Sequence, residues 1–310
     1  MMKKRNAWIA GGVALMLAVA GCSGGSGGSG GGGSDGALAG AKLTAGSKEF
    51  TEQIILSNIA ALAFEHAGAQ VADQTGISGT ATVRSALETG EIDFYWEYTG
   101  TAWVQLLGHT TQDVPDDLFD VVRSEDAVNG IAWLDAAPFE NAYRIATTKD
   151  FAQANNLVTS SDMAAFSNAN PDKGRICAAS EFINRDDGLP GLEKAYGFTY
   201  SQVVELDLNL IYSQVGSGCE FGEVFSTDAR ILSNNLLVLD DDQAFFVPYQ
   251  GAFTLRQETL DQYPAIAEIM DPISKVLTSE VVTELNGRVD NDGEEPRDVA
   301  KDWLTQNGFI

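Results

Sequence analysis

The segment from Gly79 to Trp103 restricts the possible folds most, because a predicted helix there leads directly into a predicted strand. Thr80 can cap the helix, whose apolar side chains recur four residues apart, and Gly90 can end it. The following stretch, Ile92–Trp96, is short, apolar and rich in aromatic residues, which is typical of a buried strand. A helix joined this closely to a buried strand predicts an α/β fold.

Two residues, Tyr98 and Thr101, follow this strand at its carboxyl end, where open α/β sheets usually bind their ligands. The tyrosine ring offers a π face, and the threonine begins another predicted helix, where free N–H groups suit an anion. The alternative is a packed strand end with the tyrosine in the core. This segment alone therefore leaves a ligand site and an ordinary core contact open.

Helices and strands alternate along the rest of the chain and form two successive α/β units. We expect the second unit between about Lys149 and Asp240, after which the chain returns to the first. Crossings near residues 140–147 and 241–249 would form a hinge beside a cleft. The other predicted strands are 41–45, 131–134, 143–147, 175–179, 203–208, 244–249 and 252–255, and the other predicted helices are 51–66 (capped by Thr51), one after Thr101, 116–129, 188–197, 265–277, 279–286 and 296–306.

The N-terminus has the composition of a bacterial lipoprotein signal. Three basic residues at positions 3–5 precede the apolar run 7–20, which is too short to span a bilayer, and Cys22 follows in a sequence that resembles a lipobox. Residues 23–36 are almost entirely Gly and Ser, as in a flexible tether. We therefore expect an extracytoplasmic protein that is anchored to the membrane by lipid on Cys22. The alternative is an ordinary secretory signal with a chance cysteine.

The chain that remains after this signal is long enough for one large domain or for two lobes. The two crossings favour two lobes. The predicted limits are a signal peptide at 1–21, the lipidated Cys22 with its tether at 22–40, a first lobe at 41–145 and 244–310, and a second lobe at 146–243.

The charge balance argues against several classes of partner. The net charge is −25, with 44 acidic against 19 basic residues, which opposes binding to nucleic acids and to anionic lipid headgroups. The acidic runs 186–187 and 240–242 lack the alternating spacing of a calcium loop. We interpret them as turn and surface residues.

Two cysteines, Cys177 and Cys219, remain once Cys22 carries lipid, in an exported protein where thiols tend to oxidise. We predict a disulfide between them, and two free thiols are the alternative. Neither has metal-ligand spacing, and the only histidines, His66 and His109, lie far apart in the sequence. We therefore expect neither a metal site nor a cofactor.

Six separate patterns along the chain resemble the substrate-binding proteins of osmoprotectant ABC importers, which carry glycine betaine, choline and related quaternary amines. Their order along the chain is that of the family, and together they span nearly the whole domain after the tether. The patterns are GSKEFTEQ at 46–53, GEIDFYWEYTGT at 90–101, ENAYRIA at 140–146, ASEFINRDDGLPGLEKAYGF at 179–198, EVFSTDARI at 223–231 and FFVPYQGA at 245–252.

The resemblance implies a two-lobed type II periplasmic-binding-protein fold, in which each lobe is a sheet flanked by helices and the ligand lies between the lobes. It implies that four rings form an aromatic cage around the ligand: Tyr98, Tyr143, Phe225 and Tyr249. Phe225 replaces the tyrosine that the family usually has, and so lacks its hydroxyl. The resemblance also implies contacts to the carboxylate of a betaine from Lys48, Thr101 and Arg185. Asn141, two residues before Tyr143, is a further candidate for a polar contact. Core packing of the rings and surface ion pairing of the cations are the alternatives.

The physical chemistry of a trimethylammonium group supports such a cage. The group has no N–H to donate, so ring faces must hold it, each contributing about 0.5–2 kcal/mol. Lys48 and Arg185 would lie where a betaine has its carboxylate and choline has a neutral hydroxyl. Unpaired cations in a closed cleft are costly, so we predict at least tenfold tighter binding of glycine betaine than of choline. Pairing of these cations with Glu49, Glu140 or Asp187 would weaken that preference.

These observations predict a monomeric, lipid-anchored receptor that captures a quaternary ammonium osmolyte, most simply glycine betaine, and delivers it to an ABC permease without covalent chemistry. One alternative is a hydrolase of choline esters or related amines, which needs an acid/base pair or a metal. Another is a cell-surface adhesion lipoprotein, which needs an exposed apolar patch.

Overall fold

The computed structural model describes residues 36–310, which form two five-stranded sheets covered by helices. The strands are β1 (Lys42–Lys48), β2 (Gln70–Ile77), β3 (Phe94–Tyr98), β4 (Ile131–Trp133), β5 (Tyr143–Thr148), β6 (Arg175–Ala178), β7 (Gln202–Glu205), β8 (Phe221–Phe225), β9 (Leu236–Val238) and β10 (Gly251–Arg256). The helices are α1 (Thr51–His66), α2 (Thr80–Thr89), α3 (Thr99–Thr101, continued by a π-helical turn at Ala102–Leu106), α4 (Leu118–Asp126), α5 (Lys149–Asn155), α6 (Ser160–Ala169), α7 (Ser180–Asn184), α8 (Leu189–Tyr196), α9 (Leu208–Gln214), α10 (Arg230–Ser233), α11 (Gln257–Gln262), α12 (Ala265–Ser274), α13 (Ser279–Asp290) and α14 (Pro296–Gln306). The α/β prediction is confirmed.

The two sheets have similar strand orders, in which the fourth strand comes from outside the local sequence order: the last strand, β10, in the first sheet and the earliest strand, β5, in the second. The first sheet has the order β2-β1-β3-β10-β4, and the second has the order β7-β6-β8-β5-β9. In the first sheet β10 runs antiparallel to both β3 and β4, and Gly251 pairs with Tyr98. The chain therefore returns to the first sheet after building the second, as the sequence predicted.

The two segments that connect the sheets lie side by side. The Asn141 N–H donates to the Tyr249 carbonyl at 3.0 Å, and the Gly251 N–H donates to the Phe139 carbonyl at 3.2 Å. The predicted first boundary, between residues 145 and 146, falls inside β5 of the second sheet. Both connections pass from one sheet to the other at the same place, which is where the predicted hinge would lie.

Several local predictions were wrong. Residues 244–249 form a bent loop and no strand, because Ala244 has a φ of +52° and Asp241 accepts the N–H groups of Phe245 and Phe246. The helix caps are Phe50 and Gly79, while the hydroxyls of Thr51 and Thr80 donate to distant carboxylates. Strand β2 was missed, because it is a largely exposed edge strand with little apolar alternation.

The core joins both sheets to their helices. Around α1 the rings of Phe64, Phe94 and Phe253 meet with centroids 5.2–5.9 Å apart. In the second sheet Cys177 of β6 forms a disulfide with Cys219, just before β8, and both are buried. This is the bond that the cysteine count predicted.

The predicted signal peptide, Cys22 and most of the tether lie outside the described residues. The last residues of the tether are described, and they pack on the domain: Leu38 is 2% exposed and donates its N–H to the Ala67 carbonyl at 2.8 Å. The predicted boundary at residue 40 therefore places the end of the tether too late in the sequence. Within residues 36–310 no helix has both the length and the apolar character needed to cross a membrane.

Candidate functional site

A cleft of about 1070 Å³ lies between the two sheets, at the carboxyl ends of β3, β6 and β8. This is where ligands bind in open α/β sheets, and the volume is at the upper end of the usual range for small-molecule sites. The structure brings all eight residues that the resemblance implied into the lining of this cleft: Lys48, Tyr98, Thr101, Asn141, Tyr143, Arg185, Phe225 and Tyr249.

Five rings form a continuous row along the cleft, which we call the aromatic arc. Neighbouring ring centroids along the arc lie 4.9–6.3 Å apart. In order, its members are Tyr98, Phe50, Phe225, Tyr143 and Tyr249. Phe50 was not predicted, although it lies inside the first of the six quoted patterns, because a phenylalanine before a helix reads equally well as a core residue.

Strand pairing sets the positions of the other four rings. Tyr143 begins β5 and pairs in register with Phe225, the last residue of β8. Tyr98 ends β3, and Tyr249 precedes β10, which is the next strand of that sheet. Gly100 allows the close approach here, because a Cβ atom on it would lie 2.5 Å from a Val247 methyl and 2.8 Å from the Tyr249 ring.

Buried carboxylates fix the orientation of two of these rings. The Tyr98 hydroxyl donates to Glu52 at 2.7 Å, and the Tyr249 hydroxyl donates to Asp187 at 2.6 Å. Burial and the neighbouring carboxylate raise the pKa of both phenols well above the usual range, so both hydroxyls stay protonated and donate. Glu52 was not assigned to the site from the sequence. Asp187 was named only as a possible partner of the two cations, and its interpretation as a turn or surface residue was wrong, because it is fully buried.

Glu52 connects the arc to both sheets. It is 3% exposed and accepts hydrogen bonds from Tyr98, from Asn141 in the connecting segment, from Thr227 after β8 and from Asn286 of α13. Burial raises the pKa of this carboxyl, and its four donors oppose the rise. One side chain thus holds a ring of the arc, the connection between the sheets and a helix in fixed relation.

Both predicted ligand cations already have carboxylate partners. Lys48 Nζ lies 2.7 Å from Glu97, which is fully buried. Arg185 forms a two-pronged ion pair with Asp187, at 2.6 and 2.8 Å, and a third contact with Glu181 at 2.8 Å. The premise that these cations are unpaired was wrong, and the preference for glycine betaine over choline no longer follows from it.

The same two cations lie against the arc. Lys48 Nζ is 5.3 Å from the centroid of the Tyr98 ring, and Arg185 Cζ is 5.1 Å from that of Tyr143. These distances are within the range of a cation–π contact. The ring faces of the arc are therefore able to hold positive charge.

Glu223 adds a carboxyl group to the cleft that the sequence analysis did not assign. It belongs to β8, is 1% exposed, and accepts the Ala179 N–H at 2.8 Å. Burial raises its pKa to about 8, the charge of Glu181 adds to the rise, and Arg185 opposes it. Glu181 differs: burial alone would raise its pKa, but Lys48, Arg185 and a bond from Thr80 lower it below the ordinary value.

Polar contacts bridge the cleft from one sheet's side to the other. The Thr80 N–H donates to Glu181 at 3.0 Å, Arg185 donates to the Thr101 hydroxyl at 3.3 Å, and Gln105 donates to Asp187 at 3.3 Å. Thr101 thus faces Arg185, with which the resemblance grouped it as a contact to a solute carboxylate. Within residues 36–310 no group of three or more potential ligands is arranged to hold a metal ion.

Comparison with known families gives a match over nearly all of the described chain. The family described as "Substrate binding domain of ABC-type glycine betaine transport system" matches residues 41–306. A glycine-betaine-binding protein of Pseudomonas aeruginosa is 32% identical over 277 residues, which cover 86% of this chain and 88% of that protein. An ergothioneine transport permease/ergothioneine binding protein of Helicobacter pylori is 35% identical over 270 residues, covering 86% of this chain but only 48% of that longer protein.

Solved structures agree with this match. The apo form of the YehZ protein of Escherichia coli is 28% identical with a TM-score of 0.63, covering 87% of this chain and 99% of that one. A structure described as a glycine betaine/carnitine/choline ABC transporter is 25% identical with a TM-score of 0.70, covering 86% and 98%. The type II periplasmic-binding-protein fold is therefore confirmed.

Proposed function

The chain belongs to the family of substrate-binding domains of ABC-type glycine betaine transport systems, and we propose that it holds a quaternary ammonium solute against the aromatic arc. Members of this family deliver their bound solute to a membrane permease. The role of this protein is therefore extracytoplasmic capture of a betaine-type solute for import.

The aromatic arc is the observation that carries this proposal. A quaternary ammonium group cannot donate an N–H hydrogen bond, so ring faces are its natural partners, at about 0.5–2 kcal/mol each. Micromolar affinity needs about −8 kcal/mol after the costs of association, which five rings can approach only in a preformed site. Hydrogen bonds from two tyrosine hydroxyls to buried carboxylates supply that preorganisation.

The solute class includes betaines and cationic amines. Since Glu97 and Asp187 pair with the two cations, an anionic group on the solute is not required to offset them. A carboxylate on the solute gains charge-assisted hydrogen bonds only by competing with those partners. Glycine betaine and choline are therefore both candidates within the class.

Binding and transport need no covalent step in this proposal. The contacts from Thr80, Thr101 and Gln105 to the opposite wall close over a bound solute, and the closed arrangement is the one that the permease recognises. A solute recovered after incubation with the protein should have an unchanged mass, as measured by mass spectrometry. A hydrolysed choline ester would contradict this.

Membrane anchoring through Cys22 is part of the same proposal. Its support is the lipobox-like sequence after an apolar run and the Gly/Ser stretch that follows. The mass of the N-terminal peptide from the native host tests it, because a lipid on Cys22 adds acyl chains that an ordinary secreted protein lacks.

Calorimetric titration with glycine betaine, choline and carnitine tests the role of the arc. Tyr143→Leu and Phe225→Leu keep apolar bulk but remove a π face, so each should weaken the best solute by about tenfold, or about 1.4 kcal/mol. Phe166→Leu is the matched control, because Phe166 packs against Phe151 and Phe221 away from the cleft. Unchanged affinity in both arc variants would show that the rings only fill the core.

A further inference from the structure

Glu223 occupies the wall of the cleft next to the aromatic arc. It lies two residues before Phe225 on β8, so its side chain leaves the strand on the same face as that ring. In the antiparallel register Glu223 pairs with Ile145, while Phe225 pairs with Tyr143. A solute held by Phe225 and Tyr143 therefore lies beside this carboxyl group.

One oxygen of this carboxyl group is free to bind a solute. Glu223 Oε2 accepts the Ala179 N–H at 2.8 Å, and the other oxygen has no hydrogen-bond partner within residues 36–310. The side chain is 99% buried in the protein and lines the cleft. An unpaired carboxyl oxygen at a cleft wall is an acceptor that a ligand can reach.

Asn141 supplies a second unpaired acceptor at this wall. Asn141 donates through Nδ2 to Glu52, and its Oδ1 is buried without a partner. The cations Lys48 and Arg185 point at carboxylates that belong to the protein. Beside the arc, Glu223 and Asn141 therefore each offer an unpaired acceptor oxygen, while the two cations are paired.

The lining of the cleft has a negative net charge, which also favours a cationic solute. Two cations line the cleft, against five carboxyl groups: Glu49, Glu181, Glu205, Asp207 and Glu223. A solute that is cationic and carries a donor satisfies both the charge and the unpaired acceptor. Glycine betaine has a positive charge but no N–H or O–H.

We propose that Glu223 is a specificity-determining residue that accepts a hydrogen bond from an N–H or O–H group of the bound solute. The inference rests on the proposed function and deepens it: the preferred solutes are quaternary ammonium compounds that carry a donor, such as amino alcohols, hydroxy-betaines and betaines with an N–H ring. Solutes of equal size without the donor leave the Glu223 oxygen unpaired and bind more weakly.

Two probes isolate this hydrogen bond. Choline and ethyltrimethylammonium have the same quaternary head and differ only by one hydroxyl. In wild-type protein at pH 8.5 we expect choline to bind at least tenfold more tightly, because the hydroxyl donates to a carboxylate. In Glu223→Gln both cations lose the attraction of this carboxylate, but the preference for choline over ethyltrimethylammonium should fall to threefold or less.

Glu205→Gln is the matched control. It removes the same formal charge from the cleft lining, but Glu205 is exposed and has no place beside the arc. Calorimetric titration of the full chain should show the hydroxyl preference intact in this variant. An equal loss of preference in both variants would mean that overall charge, and not the Glu223 hydrogen bond, reads the hydroxyl, and would overturn the inference.

The pH dependence of the wild type gives a test that needs no variant. The groups facing Glu223 are Glu181 and Arg185 beside α7, which stay charged, and Tyr143, which stays neutral because burial raises its pKa. Among these facing groups, Glu223 is the one whose pKa, at about 8, lies near neutral pH, and its ionised form is the better acceptor. The choline preference should therefore rise between pH 6 and 8.5 and level off well above pH 8.

The outcomes separate this inference from the proposed function. If choline and ethyltrimethylammonium bind equally and without pH dependence, the role of Glu223 is refuted while the solute class stands. If neither probe nor glycine betaine or carnitine binds, the proposed function itself has failed, and the inference fails with it. If the preference is lost only in Glu223→Gln, both are supported.

Discussion

Replacing Glu223 by Gln should stabilise the solute-free protein, and the gain should grow with pH. The carboxyl group is almost fully buried, and burial displaces its pKa from 4.5 to about 8. Since the folded-state pKa is raised, the stability that the protonated group contributes is complete below pH 4.5 and is lost as the pH rises through 8. Glutamine cannot ionise, and its carbonyl oxygen can still accept the Ala179 N–H.

The magnitude follows from the displacement of the pKa. At about 1.4 kcal/mol per pKa unit, the raised pKa lowers the free energy of unfolding, relative to its value below pH 4.5, by about 3 kcal/mol at pH 7 and by about 5 kcal/mol well above pH 8. Glu223→Gln should therefore match the wild type near pH 4.5 and exceed it increasingly up to pH 8. Well above pH 8, where the folded-state group is fully ionised, the difference between the two should be constant.

Urea unfolding of both proteins at pH 5, 7 and 8.5 measures this difference without solute. Glu205→Gln serves again as the control, because an exposed carboxylate meets water in both states. Parallel stability curves for the wild type and Glu223→Gln would refute the reasoning. So would a variant that is less stable at every pH, because it would show that the carboxylate is needed as an ion in the folded protein.

Two further predictions concern other parts of the fold. Reduction of the Cys177–Cys219 disulfide, whose cysteines are 42 residues apart, should lower the free energy of unfolding by about 4 kcal/mol. Denaturant unfolding with and without reductant measures this difference, and coincident unfolding curves would contradict the prediction. Gly100→Ala places a Cβ 2.7 Å from the Pro248 carbonyl oxygen, so it should lower the free energy of unfolding by about 1–3 kcal/mol and weaken solute binding by displacing Tyr249. The melting temperature and the solute affinity measured by calorimetric titration should fall together, and normal binding would show that the loop relaxes without moving the ring.

The α/β organisation and the return of the chain could be predicted from the sequence, because periodicity and glycine stops are local signals. Helix α14 was predicted with its observed limits, since a proline begins it and its apolar positions recur at helical spacing. Strand β2 could not be recognised, because its partner β1 supplies the hydrogen bonds and its own side chains are mostly exposed. Residues 244–249 were predicted as a strand for the opposite reason: their apolar side chains pack into the core, although their backbone forms no strand.

For the site, the sequence predicted the residues that line the cleft but not the charges buried beside them. Motif resemblance located every ring and cation that was named, because those residues lie at fixed places in distinctive patterns. It did not reveal that Glu97, Asp187 and Glu223 are buried beside them, because acidic residues are frequent throughout this chain. Which of 44 acidic side chains lose their water on folding depends on contacts between distant segments, and these contacts decide the electrostatics of the cleft.

The late insertion of β10 into the first sheet sets the order in which the molecule can be completed as it is made. Strands β3 and β4 are joined only through β10, which begins more than a hundred residues after β4 ends. All strands of the second sheet precede β10, so that sheet can form while β3 and β4 of the first sheet still lack the strand that pairs with both of them. Exposed strand edges recruit other chains, and distant pairings form slowly. A chain interrupted before Gly251 would therefore be a candidate for aggregation, and translocation would need to protect β3 until the last sixty residues emerge.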